Sequence, residues 1–135
     1  VTSGWSDGYG LYTQGEAPMV VSYETSPAYH REYEDTDRYQ AVLFDEAAYL
    51  QVEIAGIVNG APNRLNAERV MDFIVSEPFQ ELIALNQFMY PIHPGVELPE
   101  TFASADAVEN PVSIDPEVVG RNFPEWLAAW EDVMR

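Results

Sequence analysis

The sequence contains no cysteine and no lysine, and only two of its 135 residues are histidine. The first absence excludes disulfides, thiolate metal sites and a cysteine nucleophile from this segment, and it leaves the redox compartment open. No apolar run approaches the roughly 20 residues that a membrane helix needs, and no basic stretch followed by an apolar one stands at the start. There is no G-x-x-x-x-G-K-[ST], and Gly4, Gly8 and Gly10 have the wrong spacing for a dinucleotide fingerprint. Nothing matches H-E-x-x-H or a nucleophile elbow. His30 sits beside Arg31 with no partner evident in the sequence, and His93 lies between Ile92 and Pro94, so neither reads as a general base. No catalytic residue is assigned.

What is abundant is acid. Six arginines face 23 carboxylates for a formal net charge of −17, a field that repels phosphate backbones and makes nucleic acid a poor partner. The acids are spread along the chain and interleaved with 3 Trp, 8 Tyr and 6 Phe, which argues for a packed globule over disorder. An evenly acidic surface that avoids lysine is the habit of proteins from high-salt cells; the alternative is an acidic protein from an ordinary one. The run Glu32, Glu34, Asp35, Asp37 lacks the glycine-bearing loop of an EF-hand and reads as a solvated face, so no metal site is assigned there. With 47% hydrophobic residues and the length of one ordinary domain, the chain can bury a core. It opens on Val1, which suggests a fragment or a processed product.

Read along the chain, residues 6–14 suggest a short helix capped by Ser6 or Asp7 and weakened by Gly8 and Gly10. Residues 19–23, 39–44 and 49–58 read as strands, the last with apolar and mixed faces in alternation. The run after Pro27 suggests a helical turn. Asn63 or Asn66 can cap a helix to about residue 75, Pro78 opens another to about Leu85, and Pro124 starts a final helix with Trp126, Leu127, Trp130 and Val133 on one side. Between Met89 and Asp115 the chain is proline-rich and reads as an extended wrap. Strands interleaved with helices predict an α/β fold, a small mixed sheet covered by helices and ending in a C-terminal helix.

The phrase SYETSPAYH, residues 22–30, puts two tyrosines six apart at the end of an expected strand. Either they pack or they hold a flat ligand. That phrase, with GWSDGYGLYTQGEAPMVV before it, FDEAAYLQVEIAG and FIVSEPFQELIALNQFMYPI after it, and a looser match in the closing EWLAAWEDVM, resembles the carboxy-terminal lobe of the thiamine-binding proteins of ABC importers, over nearly all 135 residues. The resemblance implies a periplasmic-binding-protein-like lobe, 1–135 being one of two lobes with the amino-terminal lobe outside this sequence. It implies an extracytoplasmic protein that binds thiamine or its phosphate esters in an inter-lobe cleft, passes them to ABC permease subunits in the membrane, and has no chemistry and no cofactor of its own. Carried across position by position, the family's aromatic ligand contacts fall on Trp5, Tyr23 and Tyr29. A further cleft tryptophan falls on Phe88, which keeps a π face and loses the indole donor. Thr25 and Ser26, next to the rings, are hydrogen-bond candidates, although a proline turn uses such hydroxyls for its own backbone. Tyr9, Tyr12, Tyr49, Phe73, Phe79, Trp126 and Trp130 are assigned to packing. The alternatives are an iron(III) or other small-solute receptor of the same fold, against which the missing Tyr-Tyr pair argues, and an α/β hydrolase-type enzyme.

Overall fold

The structure is a computed structural model that describes residues 2–44, 47–102, 108 and 110–134. The chain divides into two compact units, one made of Val1–Tyr23, Phe44–Leu50 and Glu109–Arg135, the other of Glu24–Leu43 and Gln51–Val108.

Among its described residues the first unit holds two helices. Helix α1, Trp5–Thr13, begins earlier than residues 6–14 suggest: the cap position is Gly4, not Ser6 or Asp7, and no side chain bonds to the cap amides. Asp7 instead accepts a hydrogen bond from the Ser3 hydroxyl. The closing helix of this unit, Pro116–Met134, starts eight residues before Pro124 and carries that proline in its interior. Asp115 explains the start. Its Oδ1 accepts the Glu117 amide at 2.7 Å and its carbonyl accepts the Val119 amide at 3.0 Å, so Asp115 is an N-cap with proline in the first helical position. Proline at 124 removes the amide that would reach the carbonyl of residue 120. A parallel bridge joins Tyr49 to Val112, the Leu50 amide donating to the Val112 carbonyl at 3.2 Å.

The described residues of the second unit form four helices and a 3₁₀ turn. Helix α2, Ser26–Glu34, has Pro27 in its first turn and stops at Asp35, whose φ of 49° is the left-handed conformation that aspartate tolerates. Helix α3, Arg64–Ile74, follows Asn63 as expected, without a side-chain bond from it. The stretch expected as one helix from Pro78 to Leu85 is two: α4, Glu77–Gln80, and α5, Ile83–Gln87. The Pro116–Met134 helix is α6 in chain order. The core is small: Ala28 of α2, Ala84 of α5 and Phe102 of the 3₁₀ turn Glu100–Phe102, with Leu85 and Phe88 packed against them.

The small mixed sheet is absent from the described residues. Segments 19–23, 39–44 and 49–58 form no ladder beyond the Tyr49 bridge, and apart from the buried Tyr39 and the half-buried Val20, Leu43 and Ile57 their apolar side chains face solvent, Val21 92% and Ile54 89% exposed. The alternation that suggested strands is a property of a face waiting to be covered; a strand also needs a neighbour's amides and carbonyls, which local sequence does not contain. Asp45 and Glu46 of the phrase FDEAAYLQVEIAG, and residues 103–107 and 109 of the stretch expected as an extended wrap, lie outside the described residues, as do Val1 and Arg135.

Candidate functional site

In the first unit, α1 displays aromatic side chains at the spacing of a helix face. Trp5 stacks on Tyr9 four residues on, centroids 4.8 Å apart and planes 28° apart, and Tyr9 meets the edge of Tyr12 at 5.8 Å. Tyr23 lies tilted against Trp5 at 6.0 Å, and the indole Nε1 donates to the Ser22 hydroxyl at 3.3 Å. Both members of the pair remain about half exposed, Trp5 at 50%. Two of the residues expected to face a ligand are therefore brought together. Tyr9, assigned to packing, is continuous with them; its i, i+4 relation to Trp5 was the signal for it.

In the second unit, Tyr29 of α2 meets Phe88 edge-to-face at 5.4 Å, and Tyr33, one turn further, touches both rings. Phe88 lies nearly parallel to Phe102 at 6.3 Å, and Tyr90 stands against the edge of Phe102 at 6.0 Å. Phe88 itself has φ 52°, unusual for an aromatic residue; it closes α5, its amide donating to the Ala84 carbonyl. A left-handed non-glycine residue persists only where its surroundings hold it. Here the buried Thr25 does so, donating from Oγ1 to the Phe88 carbonyl at 2.6 Å. Thr25 is thus a brace for Phe88, with its hydroxyl engaged inside the protein. Ser26 opens α2 and is half-buried.

Behind Tyr29 sits His30, 1% exposed. Its partner is Glu34, one helical turn on, with Nδ1 and Oε2 2.7 Å apart, which corrects the expectation of a histidine without one. The His30 ring lies over Tyr39 at 3.9 Å and presents an edge to Tyr29 at 5.4 Å. The acidic run divides among separate tasks: Glu34 to His30, Asp37 to Arg31 at 2.7 Å, Glu32 to the Thr101 hydroxyl at 3.3 Å, and Asp35 to the end of α2. No group of three or more His, Asp or Glu arranged to hold a metal occurs among the described residues.

A contact that sequence reasoning missed joins Tyr90 to Glu24. The phenol donates to Oε1 at 2.8 Å across 66 positions of sequence. Partial burial, then the hydrogen bond and charge of Glu24, push the Tyr90 phenol up to about 12.

No family model matches the chain. It is 43% identical over 132 residues to the thiamine-binding periplasmic protein of Brucella abortus, covering 96% of this chain and 39% of that protein. The protein of that name from Escherichia coli is 37% identical over 131 residues, 97% of this chain and 40% of its own length. A solved periplasmic thiamin binding protein superposes on the whole of this chain and 42% of its own, with a TM-score of 0.89 and 36% identity. The chain thus spans about two fifths of the length of the relatives it matches, and it has the fold of that part of a solute-binding protein.

Proposed function

We propose, from the premise that this chain belongs with the thiamine-binding periplasmic proteins, that it is the ligand-capturing part of an ABC importer's substrate-binding component and takes thiamine or a phosphate ester of it outside the cytoplasm. The observation that carries the reading is the match over almost the whole chain, in sequence and in fold, to proteins of that name. The chain is then the carboxy-terminal lobe of a two-lobed receptor, and segments 19–23, 39–44 and 49–58 complete the small mixed sheet in the whole protein. Its partners are thiamine and the permease subunits that receive it.

The ring pairs support the ligand class. Thiamine is flat and carries a permanent positive charge on its thiazolium, and an aromatic face near a cation contributes about 0.5 to 2 kcal/mol, more when water is excluded. Trp5 with Tyr23 makes one such face, and Tyr29 with Phe88 makes another. Ser26 is a polar contact beside Tyr29, while Thr25 acts through Phe88. The function is binding without catalysis.

Thermal denaturation of the full-length protein against thiamine, iron(III) citrate and common sugars tests this. Thiamine at about 100 times its dissociation constant adds about 2.7 kcal/mol of stability. A shift with iron(III) or a sugar and none with thiamine would move the protein to another ligand class.

A further inference from the structure

Asn59 and Gly60 are the one Asn-Gly pair in the sequence, and they sit at the centre of a turn closed by the Ala61 amide on the Val58 carbonyl at 3.1 Å. Both are exposed. Gly60 has φ 75°, and a Cβ added there would meet nothing within 4 Å. Its amide donates to no acceptor among the described residues, and the Asn59 side chain makes no hydrogen bond among them. An asparagine followed by an amide that is neither hindered nor bonded is open to attack on its side-chain carbonyl carbon by that amide's nitrogen. The other places where this chemistry could start are held. Asp7–Gly8 is the nearest in kind, but the Gly8 amide is engaged by the Gly4 carbonyl at 3.2 Å, and a Cβ at Gly8 would meet Thr2 Oγ1 at 3.1 Å. Asn86 and Asn122 lie in helices with their side-chain amides donating to the Leu82 carbonyl at 2.8 Å and the Val118 carbonyl at 2.7 Å. The amide that follows Asn66 donates to the Asn63 carbonyl at 3.1 Å, Asn63 is followed by the long side chain of Arg64, and Asn110 by a proline, which has no amide hydrogen.

We propose that Asn59 is a modification site, at which the folded protein deamidates spontaneously through a cyclic imide. The Gly60 nitrogen, having given up its proton, bonds to Cγ of Asn59; the bond from Cγ to Nδ2 breaks, and Nδ2 takes up a proton and leaves as ammonia. Water then opens the imide. Attack at Cγ gives aspartate, and attack at the backbone carbonyl carbon of Asn59 gives isoaspartate, in which the chain runs through Cβ and Cγ. Either product adds a carboxylate to a chain already at −17, and isoaspartate also lengthens the turn by a methylene. Because the attacking nitrogen must first lose its proton, the reaction quickens as pH rises.

Mass spectrometry of the full-length protein, kept folded at mildly alkaline or mildly acidic pH and then cleaved after arginine, gives the test. Cleavage puts Asn59 on the peptide from Tyr39 to Arg64. Fragmentation of that peptide should place the amide-to-acid mass gain at Asn59 and not at Asn63, growing with time and faster at the alkaline pH, while Asn86 and Asn122 keep their amides. In isoelectric focusing the same samples should develop an acidic band, and Asn59→Gln should abolish it, since glutamine would have to close a larger ring. A parallel incubation in urea measures what the rest of the full-length protein does to the turn: the rate at Asn59 should be little changed by unfolding, whereas Asn86 and Asn122 lose the protection of their helices. Retention of the Asn59 amide in the folded protein as complete as that at Asn86 and Asn122 overturns the inference. So does deamidation of Asn59 in urea alone, or an acidic band that grows undiminished in Asn59→Gln.

Discussion

Tyr29 is held from three sides: Phe88 at its edge, Tyr33 one turn along, and the buried His30 behind it. It is nonetheless 44% exposed, so the neighbours fix its ring without covering it. A side chain ordered in advance loses little freedom on binding, and its contact energy reaches the affinity nearly undiminished. Tyr29→Ala in the full-length protein is expected to weaken thiamine binding by at least about tenfold, or about 1.4 kcal/mol, with the fold retained. An unchanged dissociation constant by calorimetry would return Tyr29 to the packing residues. Tyr90 offers a test of a different kind. Its phenol is raised from 10.0 to about 12, by burial first and then by Glu24, so the folded state favours the protonated form. That contribution is complete below pH 10, where the unfolded chain also keeps its proton, and it is lost as pH rises from 10 through 12. The stability difference between the unsubstituted protein and Tyr90→Phe should be constant up to about pH 10 and shrink above it. Because Tyr90 is partly exposed, solvent limits its size. Urea melts of both proteins across that range decide the matter, and a difference that stays constant to pH 12 would refute it.

At the scale of the element, α6 depends on its first turn. No residue of this helix is buried, and Trp126, Leu127 and Trp130 all stand substantially exposed, so tertiary packing within the described residues does little to hold it. A helix without a covered face relies on caps and propensity. Asp115→Ala removes the acceptor of the Glu117 amide and should cost about 1 kcal/mol, with exchange of the amides near Glu117 and Val118 accelerated ahead of those near Trp130. Uniform exchange along the helix would show that the cap does not limit its opening. The same helix marks where local signals sufficed and where they misled. Pro27 and Pro78 were read as helix starts and are; Pro124 carries the same signal and lies mid-helix, because the stronger combination of Asp115 and Pro116 stands eight residues earlier. For the site, the family resemblance alone pointed to Trp5, Tyr23, Tyr29 and Phe88; the structure sets Trp5 against Tyr23 and Tyr29 against Phe88. The contacts of Tyr90 with Glu24 and of Thr25 with Phe88 span 66 and 63 positions and leave no periodic trace. The missing sheet has a related cause, since period-two alternation records which side chains want cover and says nothing of what supplies it.

The whole molecule carries far more charge of one sign than its contacts can neutralise. If every arginine were paired, 23 − 6 = 17 carboxylates would still stand uncompensated. The Arg64–Glu68 pair at 2.7 Å is exposed, and exposed pairs contribute about 0 to 1 kcal/mol each. Against this stands a thin core of Ala28, Ala84 and Phe102, so self-repulsion is set against little buried apolar area. Salt acts on both electrostatic terms. The Debye length falls from about 10 Å at 0.1 M to about 3 Å at 1 M, which weakens the few attractions and the many repulsions together. Because the repulsions outnumber the attractions, their relief decides the sign, and the melting temperature should climb steeply between low and molar sodium chloride. Sodium chloride also strengthens apolar burial modestly, so the comparison needs a control in which charge alone changes. A variant with several exposed carboxylates, among them Glu53, Asp72 and Glu125, replaced by the neutral amide should melt higher at low salt and respond less to added salt. Equal salt slopes for the two proteins would assign the effect to burial and remove charge repulsion, and with it the high-salt origin that an acidic, lysine-free surface suggests.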